Sequence, residues 1–314
     1  VVMVGYRLGL FGFLAHPEIT AQTEEGGVVS NFGMQDQSMA LHWVYDNIRA
    51  FGGDPERIVI CGQSAGARSV QAQICSSMNG EIIKGAIIQS GVSMMFGDEE
   101  RPMAHIPSLQ EAEAYGADFL HAIGIDSLEE ARRTDAHELM RRLAAASRSS
   151  RYVFGLCVDG KFVRESAPAA YYNNRVADIP LMVCICQGET QSPFIKGSMD
   201  YEKYLRTAEK YGDRKEAFLS LAKVEDDAGA DALTAGDAFN SFLSGSRGFC
   251  ELRSGAGQRV YYGIFDHDIP GDDAGSFHGS ELWFMFDSLG NSWRPFEGKH
   301  YDLARQVASY WTNF

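Results

Sequence analysis

The stretch that decides the fold is IVICGQSAG at residues 58–66, an apolar run that ends at a serine between two glycines. It predicts a strand, a sharp turn and a helix. In the pattern G-x-S-x-G, Ser64 takes a strained backbone conformation, and the small residues Gly62 and Gly66 let strand and helix approach without a Cβ clash. The turn presents the Ser64 hydroxyl at the end of the sheet. The N–H of Ala65 would then face an oxyanion formed on a substrate.

The flanking residues strengthen this interpretation. FGGDPER at residues 51–57 supplies a glycine turn and a proline break before the strand. SVQAQI at residues 69–74 continues as a helix with apolar spacing. Because five positions with two wildcards also recur by chance, an ordinary tight connection between a strand and a helix is the alternative.

Composition bounds the class of protein. The chain has 314 residues, 45% of them hydrophobic, which is enough for a large core and allows one large domain or two. The formal charge of −14 argues against a nucleic acid or an anionic membrane as partner. No stretch is long enough for a transmembrane helix, and no metal, nucleotide or flavin motif is present, so no cofactor is predicted. The oligomeric state is left open.

The six cysteines are predicted to be free and mostly buried thiols. Cys61, Cys184 and Cys186 lie in apolar runs that predict buried strands, where cysteine behaves as a small hydrophobic residue. The Cys-Ile-Cys spacing of the last two matches neither a zinc pair nor a thioredoxin-type redox motif. This pattern favours a reducing compartment.

The chain alternates between strand and helix patterns, which predicts an α/β fold with a mostly parallel sheet. Strands are predicted at residues 1–6, 57–61, 85–89, 179–186 and 259–265, and helices at about 37–51 and 65–76. Helical segments at about 92–156 and 199–256 are predicted to be insertions over the sheet. CVDGKFV at residues 157–163 predicts a hairpin-type turn.

Several segments resemble the type-B carboxylesterase/lipase family, the α/β-hydrolases that include the cholinesterases. The full serine signature of that family is similar to residues 51–66, and its "NYRLG…GFL" segment resembles residues 4–14, with Gly5 where asparagine is usual. The resemblance implies an α/β-hydrolase fold, with helices on both faces of the central sheet and a helical cap. It also implies hydrolysis of a small-molecule ester.

The acid of a catalytic triad is expected at the carboxyl end of a strand, in the chain order serine, acid, histidine. Glu189 follows the strand at residues 179–186 and takes this place. Where the family usually has Asp-Glu-Gly, this chain has Gly-Glu-Thr and one extra residue before Phe194, so the loop geometry is open. Ser90 ends another strand at the same edge, and the resemblance implies that it supports the triad; capping the turn is its alternative role.

Eight histidines compete for the role of general base. His267 and His278 lie on the glycine- and aspartate-rich loop after the last strand, from which a side chain can reach the serine. Only His278 matches the family's "HGxEL" box, in HGSEL at residues 278–282. Ser64, Glu189 and His278 are therefore the predicted triad.

Two apolar clusters could line a substrate pocket, although such clusters more often belong to a core. They are Met94-Met95-Phe96, after Ser90, and the Phe242-Leu243 region.

The chain opens inside a predicted strand and closes inside a predicted helix, so we expect a single domain, residues 1–314, truncated at both ends. The family's glycine-rich loop, which provides the other oxyanion-hole donors, would lie upstream of residue 1. We therefore expect residues 1–314 alone to be weakly active or inactive.

The leading hypothesis is a serine carboxylesterase that works through an acyl-enzyme. A catalytically inactive binding or adhesion module of the same fold is the first alternative. A related acyl hydrolase, such as an amidase, lactonase or depolymerase, is the second, because specificity depends on the shape of the pocket.

Overall fold

A computed structural model describes residues 1–92, 106–146, 154–189, 199–209, 211–235 and 241–314. Met94, Met95 and Phe96, together with the loop from Thr190 to Phe194, lie outside the described residues.

A four-stranded parallel sheet has the order β1 (Val59–Gln63), β2 (Gly85–Gln89), β3 (Leu181–Cys186) and β4 (Val260–Phe265). In β3 and β4, Leu181 pairs with Val260, and the register continues to Cys186 opposite Phe265. Every residue of β2 is buried, whereas β1 and β4, at the edges, are partly exposed. Because the strands are parallel, the residues that follow β1, β2 and β3 emerge at one edge of the sheet.

Helices fill most of the remaining described chain. Their bounds are α1 (Gly9–Phe13), α2 (Pro17–Gln22), α3 (Phe32–Asn47), α4 (Ala65–Cys75), α5 (Leu109–Ala122), α6 (Leu128–Arg133), α7 (Ala136–Ala146), α8 (Ala167–Tyr172), α9 (Tyr201–Glu209), α10 (Lys215–Leu221), α11 (Asp227–Ala235), α12 (Ser241–Gly255), α13 (Glu281–Met285) and α14 (Gly298–Asn313). Short 3-10 turns cover Ile48–Phe51, Pro55–Arg57, Gly212–Arg214 and Leu289–Asn291. No described helix combines the length and apolarity that a membrane crossing requires.

Serines fix the start of several helices. Ser108 forms a capping box with Glu111 at the start of α5, and the Ser127 hydroxyl accepts a hydrogen bond from the Glu130 N–H at 3.1 Å. Both contacts satisfy backbone donors that have no partner inside the helix. The helical patterns predicted within 111–146 and 199–256 correspond to α5–α7 and α9–α12.

The chain divides into two compact units, which are described separately. The first comprises residues 1–60, 69–86 and 95–179, and the second residues 61–68, 87–94 and 180–314. A core cluster of the first unit contains Leu10, Phe119, Leu120, Ile123, Ile125, Ala131 and Leu139. A core cluster of the second contains Cys186, Phe265, Ile269, Phe284, Leu289, Ala304 and Val307. A single domain over residues 1–314 stays a prediction, as do the insertions over the sheet.

Three local predictions are wrong or shifted. Residues 1–6 form no strand, and Val1 and Met3 are exposed, because a strand needs a hydrogen-bonded neighbour and none of the described strands pairs with them. The first strand of the sheet starts at Val59 because Pro55–Arg57 forms a 3-10 turn capped by the Asp54 carboxylate. Residues 157–163 make a turn in which the Gly160 N–H donates to the Val163 carbonyl at 3.1 Å, without hairpin strands.

The cysteine prediction holds for most positions but is wrong for Cys61. Cys157, Cys184, Cys186 and Cys250 are buried thiols, and burial raises the pKa of Cys184 to about 12. Cys61 is exposed because β1 is an edge strand, so its apolar run is not covered on both sides as the sequence pattern suggested.

Candidate active site

Ser64 lies at a strained turn between β1 and α4. Its φ is +56°, a left-handed value that is uncommon outside glycine. The Ser64 N–H donates to the Gln89 carbonyl at 2.9 Å, and the Arg68 N–H donates to the Ser64 carbonyl at 3.2 Å. The serine is thereby tied to the end of β2 and to the first turn of α4, which is the arrangement expected of a nucleophile elbow.

The backbone of this turn leaves no room for a side chain at Gly62 or Gly91. A Cβ at Gly62 would lie 2.3 Å from the Gly66 carbonyl oxygen, and a Cβ at Gly91 would lie 2.3 Å from the Ala67 Cβ. A Cβ at Gly66 would meet nothing within 4 Å. The expectation that both glycines of the motif relieve a clash is therefore correct for Gly62 and wrong for Gly66, whose backbone forms the crowded wall.

Glu189 carries a carboxylate into the protein interior directly after β3. The residue is 1% exposed, and its Oε1 accepts a hydrogen bond from the Cys186 N–H at 2.9 Å. Its Oε2 is hydrogen bonded to His278 Nδ1. The neighbouring Gly188 N–H donates to both the carbonyl and the hydroxyl of Ser276, at 3.1 Å each. The loops that carry the acid and the histidine are therefore joined at two successive points.

His278 is partly buried, and its two ring nitrogens have different partners. The Glu189 carboxylate, through its hydrogen bond, raises the pKa of His278, and burial opposes this rise. Nε2 lies 3.2 Å from Gln63 Nε2, and the Phe242 ring centroid lies 5.7 Å from that of the imidazole. Among the described residues, no hydrogen bond joins the Ser64 hydroxyl to His278. The structure thus pairs the predicted acid and base, and it brings the base to the residue just before the predicted nucleophile.

The competing histidine on this loop points elsewhere. His267 packs against Phe284, with ring centroids 5.5 Å apart, and against His300, at 5.2 Å. Burial lowers the pKa of His267. It belongs to the aromatic interior of the second unit, whereas His278 meets Glu189.

A second buried carboxylate lies behind the pair. Glu281 is 1% exposed, and its two oxygens accept hydrogen bonds from Gln89 Nε2 at 3.1 Å and from Cys186 Sγ at 2.9 Å. Burial, with a smaller effect of the Glu189 charge, raises the pKa of this carboxyl. No role for Glu281 was predicted from the sequence, although a charged residue inside the apolar SELWFMF segment was the available signal.

The roles predicted for Ser90 and Ala65 stay predictions. Ser90 has a φ of +50°, and its N–H donates to the Cys184 carbonyl at 2.8 Å. Its buried hydroxyl has no hydrogen-bond partner among the residues that the structure describes. Ala65 is the first residue of α4. In the described ranges, no group of His, Cys, Asp and Glu side chains is arranged to hold a metal ion. The predicted absence of a metal cofactor stays a prediction.

With this geometry established, comparison with known proteins decides the family. The family model of the carboxylesterase family matches residues 1–314. The chain belongs to the carboxylesterase family. Fumonisin B1 esterase of Sphingopyxis macrogoltabida is 31% identical over 340 residues, and the match covers 100% of this chain and 58% of that protein. Para-nitrobenzyl esterase of Bacillus subtilis is 30% identical over 190 residues, which are 58% of this chain and 36% of that protein.

Solved structures confirm the predicted α/β-hydrolase fold. A PNB esterase superposes with a TM-score of 0.78 at 23% identity, over 99% of this chain and 63% of that chain. The match covers 58% of fumonisin B1 esterase and 63% of the PNB esterase chain, so this carboxylesterase-family chain spans less than two thirds of the length of these relatives.

The difference between Gly62, where a side chain would clash, and Gly66, where it would not, can be tested by substitution. Gly62→Ala should lower the free energy of unfolding by about 3 kcal/mol or more, because the new methyl group meets backbone that cannot move aside. Gly66→Ala is the matched control, and it should be neutral or stabilising by up to about 1 kcal/mol, because it adds a helix-forming residue in open space. Urea unfolding of both variants would measure the difference, and equal effects would contradict the account of the turn.

Proposed function

We propose that this protein is a carboxylic-ester hydrolase in which Ser64 is the nucleophile, His278 the general base and Glu189 the acid that orients it. The observation that carries the proposal is the buried Glu189 carboxylate on His278 Nδ1, with Nε2 of the same ring at the residue before Ser64. An imidazole held through Nδ1 by a carboxylate has the tautomer that lets Nε2 accept a proton.

In the proposed reaction, His278 Nε2 takes the Ser64 proton as Oγ attacks the ester carbonyl. Glu189 stabilises the positive imidazolium that forms. The imidazolium then gives its proton to the departing alcohol, which leaves an acyl group on Ser64. Water, activated by the same histidine, attacks the acyl-enzyme, and the acid product departs.

The oxyanion would accept a hydrogen bond from the N–H of Ala65. This residue is the first of α4, where the helix dipole also favours negative charge. Removing one such donor raises the activation barrier by roughly 2.7–4 kcal/mol, which slows the reaction by about 10²–10³-fold. Because this chain matches only 58% of fumonisin B1 esterase, full activity is proposed for the whole protein.

The substrate class is proposed from the relatives, whose names describe esterases and lipases. A small-molecule ester fits this set. The identity of the ester and the choice between ester and amide leaving groups depend on the shape of the pocket.

A fluorophosphonate probe tests the nucleophile. We expect one covalent adduct per chain of the full-length protein, on the peptide that contains Ser64, because the Glu189–His278 pair activates that hydroxyl. Ser64→Ala should abolish the adduct, and His278→Ala should slow its formation by about 10³-fold or more. Mass spectrometry of the digested protein would measure both.

The control for this experiment is His267→Ala, which removes the other histidine of the same loop and should leave labelling intact in folded protein. An unlabelled but folded wild-type protein would contradict the proposed activity and favour the binding module.

The pH dependence tests the acid. Because His278 must be neutral to act as a base, kcat/KM falls as the pH drops through its pKa. The Glu189 hydrogen bond is the main cause that raises this pKa, so Glu189→Gln should move the acidic limb to lower pH. It should also reduce the maximal kcat/KM by up to about 10⁴-fold, since the neutral amide can favour the wrong tautomer.

Stopped-flow hydrolysis of p-nitrophenyl acetate by the full-length protein would give both quantities. Glu251→Gln, which changes an exposed glutamate on α12, is the matched control and should change neither. An acidic limb that stays in place or moves to higher pH in Glu189→Gln would overturn the assignment of Glu189.

A further inference from the structure

We propose that Gln63 is a positioning residue for the general base: its side-chain amide holds His278 Nε2 as a hydrogen-bond acceptor in the resting protein and yields that nitrogen to Ser64 when a substrate binds. This inference rests on the proposed function, and the experiment below separates the two.

The position of the proton on the imidazole ring determines the direction of this hydrogen bond. Nδ1 faces the Glu189 carboxylate, which can only accept, so Nδ1 carries a proton. In a neutral ring Nε2 is then a lone pair, and it lies 3.2 Å from the Gln63 Nε2, an N–H donor. The amide therefore donates to the same lone pair that must later take the Ser64 proton.

The packing around Gln63 fixes this contact. Gln63 is the last residue of β1, and its side chain runs along the backbone of the residue that follows the base. A Cβ at Gly279 would lie 3.4 Å from Gln63 Nε2 and 3.8 Å from its Cδ. Gly279 also has a φ of +86°. The Gln63 amide therefore lies at van der Waals distance from Gly279, and the positive φ of Gly279 favours glycine at this turn.

An amide can serve both protonation states of the ring. With Nε2 unprotonated, the NH2 group donates to it; after Nε2 takes the Ser64 proton, a half-turn of the amide brings Oε1 to accept from Nε2–H. The half-turn of the amide breaks no covalent bond and moves no proton. Leucine can make neither contact, and glutamate can only accept.

The different hydrogen-bonding capacities of glutamine, glutamate and leucine predict the relative size of the pH shifts in two variants of Gln63. Gln63→Glu should favour the protonated ring, since it faces a second carboxylate, and should move the acidic limb of kcat/KM to higher pH by about one unit. Gln63→Leu removes both the donor and the acceptor that the ring can use, so its limb should move by less than that of Gln63→Glu. In both variants kcat should fall while KM stays within about twofold, because the amide acts on the base and not on the ester.

The experiment combines this pH profile with 15N NMR of histidine-labelled full-length protein, with the His278 signals assigned by their loss in His278→Gln. In the wild type, on the alkaline side of the titration of His278, Nδ1 should be protonated and Nε2 unprotonated with the 15N chemical shift of a hydrogen-bonded acceptor. In Gln63→Leu the 15N chemical shift of Nε2 should move towards the value of an unprotonated ring nitrogen that accepts no hydrogen bond. Gln37→Leu is the matched control, since it removes a half-buried amide that donates to the Ser69 hydroxyl at 3.1 Å.

An Nε2 signal and an acidic limb that are the same in wild type, Gln63→Leu and Gln63→Glu would overturn the proposal. A neutral wild-type ring that carries its proton on Nε2 and not on Nδ1 would also overturn it, and that measurement needs no variant to fold. The NMR titration does not depend on turnover. A protein that lacks esterase activity but has the predicted spectra would therefore refute the proposed function and retain the Gln63 contact.

Discussion

A carboxylate that is 1% exposed must have partners for its oxygens, and for Glu189 these are the Cys186 N–H and the His278 ring. A charge without such partners would cost several kcal/mol in the protein interior. The requirement links the end of β3 to the loop after β4, and the contacts between Gly188 and Ser276 reinforce that link. The geometry of the site therefore follows from the burial of one charge.

The second constraint is the backbone at Ser64. A left-handed φ at a non-glycine residue costs about 1–3 kcal/mol, and it persists only where the surroundings impose it. Here the Gln89 carbonyl, the first turn of α4 and the missing side chain at Gly62 impose it together. The same strand end places Gln63 beside His278. The base is thus linked to β1 through the residue that precedes the nucleophile, and to β3 through Glu189.

Much of this arrangement could be predicted from the sequence, because it depends on local patterns. The strands at residues 85–89 and 181–186 are continuous apolar runs, and G-x-S-x-G encodes its own turn. Glu189 is predicted by its place after a strand in the order serine, acid, histidine, and the resemblance to the family's "HGxEL" box selects His278 over His267. The failures concern long-range neighbours. Residues 1–6 have a strand pattern but no described partner strand, Cys61 is on an edge that the sequence does not reveal, and the Gln63 contact joins residues 215 positions apart.

The central claim is that the Glu189–His278 pair acts on Ser64. The most direct test is a crystal structure of the full-length protein after reaction with a diethyl phosphonate ester. We expect phosphorus bonded to Ser64 Oγ, His278 Nε2 within hydrogen-bond distance, roughly 2.6–3.2 Å, of Oγ, and Glu189 still on Nδ1. An adduct on another residue, or a His278 that remains on Gln63 and out of reach of the adduct, would contradict it.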